Sequence, residues 1–416
     1  MGSHCSPEAN AAASASFAVW RAQRGFSFSA AAGPLPAAVA HEVADACRPG
    51  PGSILSLPFT TPTYRTLQAE TEACLRRLLA IPDAFAVLFL PGGASAQFAA
   101  VPMNLLGREG GAGAGARAKR AIGADACGGA RARGTATPAA ALYVDSGYWS
   151  RRAIAEAQRF GPVDVRELAA LNLPVLDGDP AQAFAYVHVT PNETADGLQF
   201  PQLPLTRAPL VADLSSEFLT RTLDWQRLSL AYAGTQKTIG TPGLTLVVIR
   251  RALLDRARTD VPRVMDYAAQ AAADSRLCTP PVLPVFVAHR MLHWIEAAGG
   301  VAAMAARLQR RHALIAAAMA AGEAAGLYRS MVPAGWRSRV NPCFQLPDGR
   351  ATGRFLAAAD AAGLRDLCGH PERGGVRLSL YNGLADAAVE ALADFLARFA
   401  RGVGADAGMA SRGGEA

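Results

Sequence analysis

Lysine is nearly missing from this chain: Lys119 and Lys237 are the two among 416 residues, and arginine supplies the rest of the 41 basic side chains. Chemistry that needs a side-chain primary amine therefore falls to one of two positions. Long apolar runs are also missing. No stretch reaches the roughly 18 uninterrupted apolar residues of a membrane-spanning helix, and residues 1–13 have neither a basic region nor an apolar signal core. A soluble cytoplasmic protein with no membrane partner is the expectation. Paired cysteines are lacking as well. Cys5, Cys47, Cys74, Cys127, Cys278, Cys343 and Cys368 are odd in number, with no CxxC pair and no zinc-type spacing. Reduced thiols fit that scatter.

What is present is a globular composition, 51% apolar and 18% charged, in a chain long enough for one large core or two moderate ones. The net charge of +7 raises the question of nucleic acid. Six basic and two acidic residues lie within 108–138, so more than half of the excess sits in one Gly/Ala/Arg-rich segment without an apolar period. That reads as a solvated surface insertion, and no nucleic-acid partner is expected.

Short apolar runs recur at 87–90, 142–144, 184–189, 209–214, 230–234 and 244–249, separated by helical patterns such as 64–80 and 150–160. Strands so continuously apolar are covered on both faces, the signature of a mostly parallel sheet flanked by helices. After residue 282 come Ala/Leu-rich helices at 287–297 and 301–324. Short strands near 343–346 and 376–381 and a last helix at 385–401 follow, suggesting a smaller α+β unit. The tail beyond is expected to be mobile.

Three features carry chemistry. Pro91-Gly92-Gly93-Ala94-Ser95 follows the first apolar run and opens a helix, where free amides and the helix dipole suit a phosphate. An ordinary strand-to-helix turn has the same look. Asp213 ends another apolar run, at the sheet edge where ligands bind; it either pairs with a protonated pyridine nitrogen or caps a helix. Lys237 stands at a third strand end, in Ala233-Gly234-Thr235-Gln236-Lys237. A lysine beside apolar strands is costly unless paired or used, and Schiff-base formation is one such use. The plain alternative is a lysine on a surface loop. Since Lys119 lies in the insertion, Lys237 is the lysine expected to react.

In that order, glycine turn, acid and lysine resemble the fold-type I pyridoxal-phosphate enzymes. The match sharpens along 53–401: LLAIPDAFAVLFLPGGASAQF, YVDSGYWSRRAIAEAQRFG, YVHVTPNETADG, VADLSSEFLTR, YAGTQKTIGTPG, CTPPVLPVF, SRVNPCFQL and GGVRLSLYNGL are similar to the phosphoserine aminotransferase family. The resemblance implies an α/β fold with a mostly parallel seven-stranded sheet. It implies a large domain at 38–300 interrupted by the insertion 108–138, a small domain from 1–37 and 301–403, and a mobile tail at 404–416. It implies a homodimer that transfers an amino group between L-glutamate and 3-phosphooxypyruvate in serine biosynthesis. By the same resemblance Lys237 holds pyridoxal 5′-phosphate as a Schiff base and shuttles the proton, Asp213 faces the pyridine nitrogen, and Trp149 stacks on the ring. Thr194 lies near the ring hydroxyl, Gln236 contacts the cofactor, and Ala94 and Ser95 cradle its phosphate. Cys278 and Thr279 reach the phosphate of the other subunit, and Arg377 grips the substrate carboxylate.

The match breaks where the family recognises the substrate's distal acid. Its two His-Arg pairs fall here on Phe59-Thr60 and on His370-Pro371, so three basic side chains are gone, while Thr60 and His370 remain as polar candidates. Each lost charge-assisted donor is worth about 1.5–3 kcal/mol. Arg65, Arg373 or His370 is positioned in sequence to compensate, and the same chemistry on a non-phosphorylated 2-oxo acid is the alternative. A thiol-using lyase on this fold needs a cysteine on a flexible loop, whereas Cys278 and Cys343 match segments with cofactor or packing roles.

Overall fold

The computed structural model describes residues 25–107, 140–168, 176 and 183–412. The basic insertion at 108–138 lies outside the described residues. A seven-stranded sheet forms the centre: β1 (Phe85–Pro91), β2 (Ala141–Asp145), β3 (Val163–Glu167), β4 (Val187–Val189), β5 (Leu210–Asp213), β6 (Leu228–Gly234) and β7 (Leu244–Arg250), in the spatial order β1-β7-β6-β5-β4-β2-β3. Strand β7 runs antiparallel to both neighbours and the other pairings are parallel.

The apolar runs are strands because both faces are covered. In β1, Phe85, Val87 and Phe89 enter one core while Ala86, Leu88 and Leu90 enter the other, each large side chain contributing about 1.5–3 kcal/mol by burial. The first core packs against α2 (Pro62–Leu79) and α6 (Val282–Ala297); the second lies under α3 (Ala94–Leu105), α4 (Tyr148–Ala157) and α5 (Tyr267–Ala272). Helix α1 (Ala37–Ala46) packs on α6. A third core joins α7 (Gly300–Ala324), α8 (Gly349–Ala361) and α9 (Asp386–Arg412) to a small sheet of β8 (Cys343–Phe344), β9 (Cys368–His370) and β10 (Gly374–Arg377). Phe28 belongs to this last core, which ties the N-terminal segment to the C-terminal one.

One strand and one helix end depart most from the sequence reading. Strand β3, VDVRE, was not among the apolar runs because it is an edge strand with partly exposed residues throughout. The backbone of α9 continues to Arg412, eleven residues past the expected end at Arg401. Among the described residues, no helix is long and apolar enough to cross a membrane.

Candidate active site

Parallel strands deliver their carboxyl ends to one edge of the sheet, and there the turns after β1, β2, β4, β5 and β6 surround a cavity of about 250 Å³. Gly93, Ala94, Ser95, Trp149, Asp213, Gln236 and Lys237 are among the residues that line it. The chain enters α3 through Gly92 at φ +107°, a left-handed conformation that glycine adopts without strain. Among the described residues no side chain caps α3, so the amides of Ala94 and Ser95 remain for a ligand, while that of Ala96 donates to the Gly93 carbonyl at 3.0 Å.

Lys237 Nζ lies 5.4 Å from the centre of the Trp149 ring. Burial first, and then Arg377, hold its ammonium below the usual lysine range, while Asp213 and Glu193 oppose the shift. Asp213 is buried, and its Oδ1 accepts from the Ser215 hydroxyl at 2.6 Å and the Ser215 amide at 3.0 Å. Burial raises its pKa against the pull of those bonds and of Lys237. The Ser215 hydroxyl also accepts from the Gly234 amide at 3.1 Å, which joins the ends of β5 and β6. Beneath this edge Tyr232 pairs across the sheet with Asp213, and its hydroxyl meets His188 Nε2 at 2.9 Å. Burial pushes the His188 imidazole down to about 3, so it is neutral there.

Trp149 is held from two directions. Its Nε1 donates to Thr194 Oγ1 at 2.9 Å, and its amide donates to Glu193 Oε2 at 2.8 Å. Glu193 Oε1 accepts from the Ser150 amide at 2.8 Å, and Asp196 Oδ2 from the Tyr148 amide at 2.9 Å. Two carboxylates from the PNETADG turn thus satisfy the opening amides of α4, where negative charge also suits the helix dipole. Glu193 has no exposed surface, and burial pushes its carboxyl up to about 7 in spite of the Ser150 and Trp149 amides, with Asp196 adding to the rise. Gly147 permits the approach: a Cβ there would stand 2.5 Å from Asp196 Oδ2 and 2.9 Å from Glu193 Cδ.

The small sheet brings in Arg377, whose Nη1 donates to the Thr194 carbonyl at 3.2 Å. His370 lies with its ring centroid 4.1 Å from that of Tyr148. Arg373, three residues on, pairs through Nε with Asp196 Oδ1 at 2.7 Å. Ala94, Ser95, Trp149, Asp213, Gln236 and Lys237 thus line one cavity, with Thr194 bonded to Trp149 and Arg377 bonded to Thr194. Thr60, Phe59, Cys278 and Thr279 do not line the cavity of their own chain. Phe59 packs on the first core, and Thr60 and Thr279 are exposed. Arg65 is exposed on α2. Burial pushes the Cys343 thiol up to about 12, with Arg377 opposing the rise, which disfavours its thiolate. Sequence reasoning missed Glu193, Asp196, Ser215 and the His188–Tyr232 pair.

With this geometry in place, comparison with known proteins is decisive. The model of the class-V aminotransferases matches residues 130–392. The phosphoserine aminotransferase of Laribacter hongkongensis is 38% identical over 84% of this chain and 90% of its own length. That of Acidithiobacillus ferrooxidans is 37% identical over 90% and 98%. The chain belongs to the phosphoserine aminotransferase family.

Two solved structures of that family superpose closely. The enzyme from Bacillus circulans subsp. alkalophilus gives a TM-score of 0.77 at 30% identity, covering 92% of this chain and 99% of the other. The pyridoxal-phosphate-bound enzyme from Trichomonas vaginalis gives 0.75 at 28%, covering 90% and 99%. The donor set here fits that cofactor. A flat indole, a carboxylate, an amine and the first amides of α3 face one space, and Thr190 Oγ1 is buried at its wall with no hydrogen-bond partner among the described residues.

Proposed function

We propose that this chain catalyses transfer of an amino group from L-glutamate to 3-phosphooxypyruvate, giving O-phospho-L-serine and 2-oxoglutarate in serine biosynthesis, with pyridoxal 5′-phosphate in the cavity around Lys237. The observation that carries this is the convergence of Lys237, Asp213, Trp149 and the α3 N-terminus on one cavity. When bound, the cofactor supplies the electron sink that makes the α C–H bond of an amino acid breakable.

The residues divide the remaining work. Lys237 holds the cofactor and, with its amine kept readily neutral by burial, takes and returns the substrate's α proton. Asp213, oriented by Ser215, holds the positive charge of the pyridine nitrogen. Ala94 and Ser95 present the α3 amides to the phosphate. Trp149 fixes the plane in which the breaking bond must lie, and Thr194 holds the indole while it lies near the ring hydroxyl. Gln236 contacts the cofactor. Arg377 grips the α-carboxylate as a two-pronged donor.

A homodimer is part of this reading. Cys278 and Thr279 stand away from the cavity of their own chain, which supports their reaching the cofactor phosphate of a second copy, and Thr60 is assigned to the shared substrate pocket. The domain at 38–300 carries the cofactor, 1–37 with 301–403 forms the small domain, and the enzyme works in the cytoplasm. For the distal phosphate, Arg373 is the guanidinium on hand: its ion pair to Asp196 holds it beside His370 and Tyr148, where Pro371 offers no charge.

A second reading, transamination of a 2-oxo acid without phosphate, is favoured by Phe59, Thr60 and Pro371 at the positions of three missing basic residues. Measuring kcat/KM for O-phospho-L-serine with 2-oxoglutarate, against serine, alanine and aspartate, separates the two. Preference for phosphoserine supports the first; turnover of an unphosphorylated amino acid with phosphoserine inert supports the second.

A further inference from the structure

Away from the cavity, α2 and α6 pack face to face with a polar cluster set into their contact. Cys74 on α2 is fully buried. On α6, His289, His293 and Glu296 follow at intervals of four and three residues, so they share one face. The Cys74 Sγ, a His293 ring nitrogen and a Glu296 carboxylate oxygen all lie within 4.8 Å of one another. The His289 and His293 ring centroids are 4.4 Å apart. His289 is 8% exposed, and among the described residues neither of its ring nitrogens has a well-aligned hydrogen-bond partner. Its Nε2 lies 3.4 Å from Glu70 Oε2 without the alignment of a hydrogen bond. A buried imidazole with Nδ1 unpartnered among the described residues and only this long contact at Nε2 is costly, and a ligand that fills it recovers part of the cost.

We propose that Cys74, His293 and Glu296 bind a divalent ion of the zinc class, with His289 as the fourth ligand. One thiolate, two imidazoles and one carboxylate form a borderline-soft set that suits zinc and disfavours calcium or magnesium. Tetrahedral bonds of about 2.0–2.3 Å place ligand atoms roughly 3.3–3.8 Å apart, so the Cys74, His293 and Glu296 atoms, already within 4.8 Å of one another, need only small side-chain rotations, and His289, edge-on to His293, turns in to complete the set. Binding releases the thiol proton to solvent and puts the ion's charge in its place. Arg77 is the competitor: it donates to Glu296 at 2.9 and 3.1 Å. Its side chain is 56% exposed, so it can turn to water as the ion enters. The ion clamps α2, which begins two residues after Thr60, to α6, which begins three residues after Thr279. It thereby fixes the roots of two loops that lie off the cavity of their own chain.

Cobalt(II) titrated into the metal-free, cofactor-loaded full chain tests this by difference absorbance, and zinc affinity follows from competition with a chromophoric chelator. One cobalt per chain is expected, with four-coordinate d–d bands and a thiolate charge-transfer band. Cys74→Ser removes the charge-transfer band. His293→Ala, at a half-exposed position where folding is not at risk, weakens zinc by more than about 100-fold and abolishes the rise in Tm that zinc gives the unaltered protein. Arg77→Ala tightens binding. Absence of a thiolate band at saturating cobalt overturns the proposal, and so does a spectrum and affinity unchanged in both Cys74→Ser and His293→Ala.

Discussion

The backbone amide of Trp149 donates to Glu193 Oε2 at 2.8 Å, so the residue beside Lys237 hangs from a carboxylate 44 positions later in the chain. Because Glu193 also takes the Ser150 amide, it sets the start of α4, while the neighbouring Thr194 holds the indole through Nε1.

A pH dependence follows from that carboxyl. Its folded pKa, about 7, stands above the ordinary value of 4.5, so between these values the folded state holds a proton that the unfolded chain releases. This contribution to stability is complete below pH 4.5 and is lost as pH rises through about 7, with an upper magnitude on the order of 3 kcal/mol. Urea unfolding from pH 4.5 to 8 is expected to give a loss of stability across this window that is absent in Glu193→Gln, relative to the unaltered protein. Equal pH profiles for the two proteins would rule the assignment out.

Gly147 is expected to resist even alanine. The added methyl meets Asp196 Oδ2 at 2.5 Å and the Glu193 side chain at 2.9 Å, and both belong to the α4 cap. Gly147→Ala should cost about 1–3 kcal/mol, read by denaturant unfolding, and should shift indole fluorescence as Trp149 is displaced. An unperturbed spectrum and midpoint would mean that the turn yields freely.

Arg373→Ala addresses the distal pocket. Loss of one charge-assisted donor to phosphate should raise KM for O-phospho-L-serine by about 10- to 100-fold, with kcat changed far less and the KM for L-glutamate, whose distal carboxylate uses the same pocket, raised by a smaller factor. A variant that handles phosphoserine like the unaltered enzyme would remove Arg373 from the substrate site and leave its pairing with Asp196 as packing.

The parts of this arrangement legible in the sequence share a physical reason. Strands β1, β2, β4, β5, β6 and β7 declared themselves because burial on both faces demands unbroken apolar runs, and Lys237 stood out through the scarcity of lysine. Edge strand β3 escaped because one covered edge imposes no such pattern. Glu193 and Asp196 lie in a turn whose partners, the amides at 148–150, exist as donors only once α4 has formed beside them. The cluster around Cys74 was equally hidden, since its other members lie more than 200 residues away and only the packing of α2 on α6 unites them.

The central role of Lys237 can be read directly because the chain offers so few alternatives. Lys237→Ala is expected to lower transamination by at least about a thousandfold, but a chemical trap is more specific. Borohydride reduction of the pyridoxal-phosphate-loaded protein, followed by proteolysis and peptide mass mapping, should place one phosphopyridoxyl group per chain on Lys237 and none on Lys119. A label on Lys119, or a loaded and active protein with Lys237 unlabelled, would contradict the assignment.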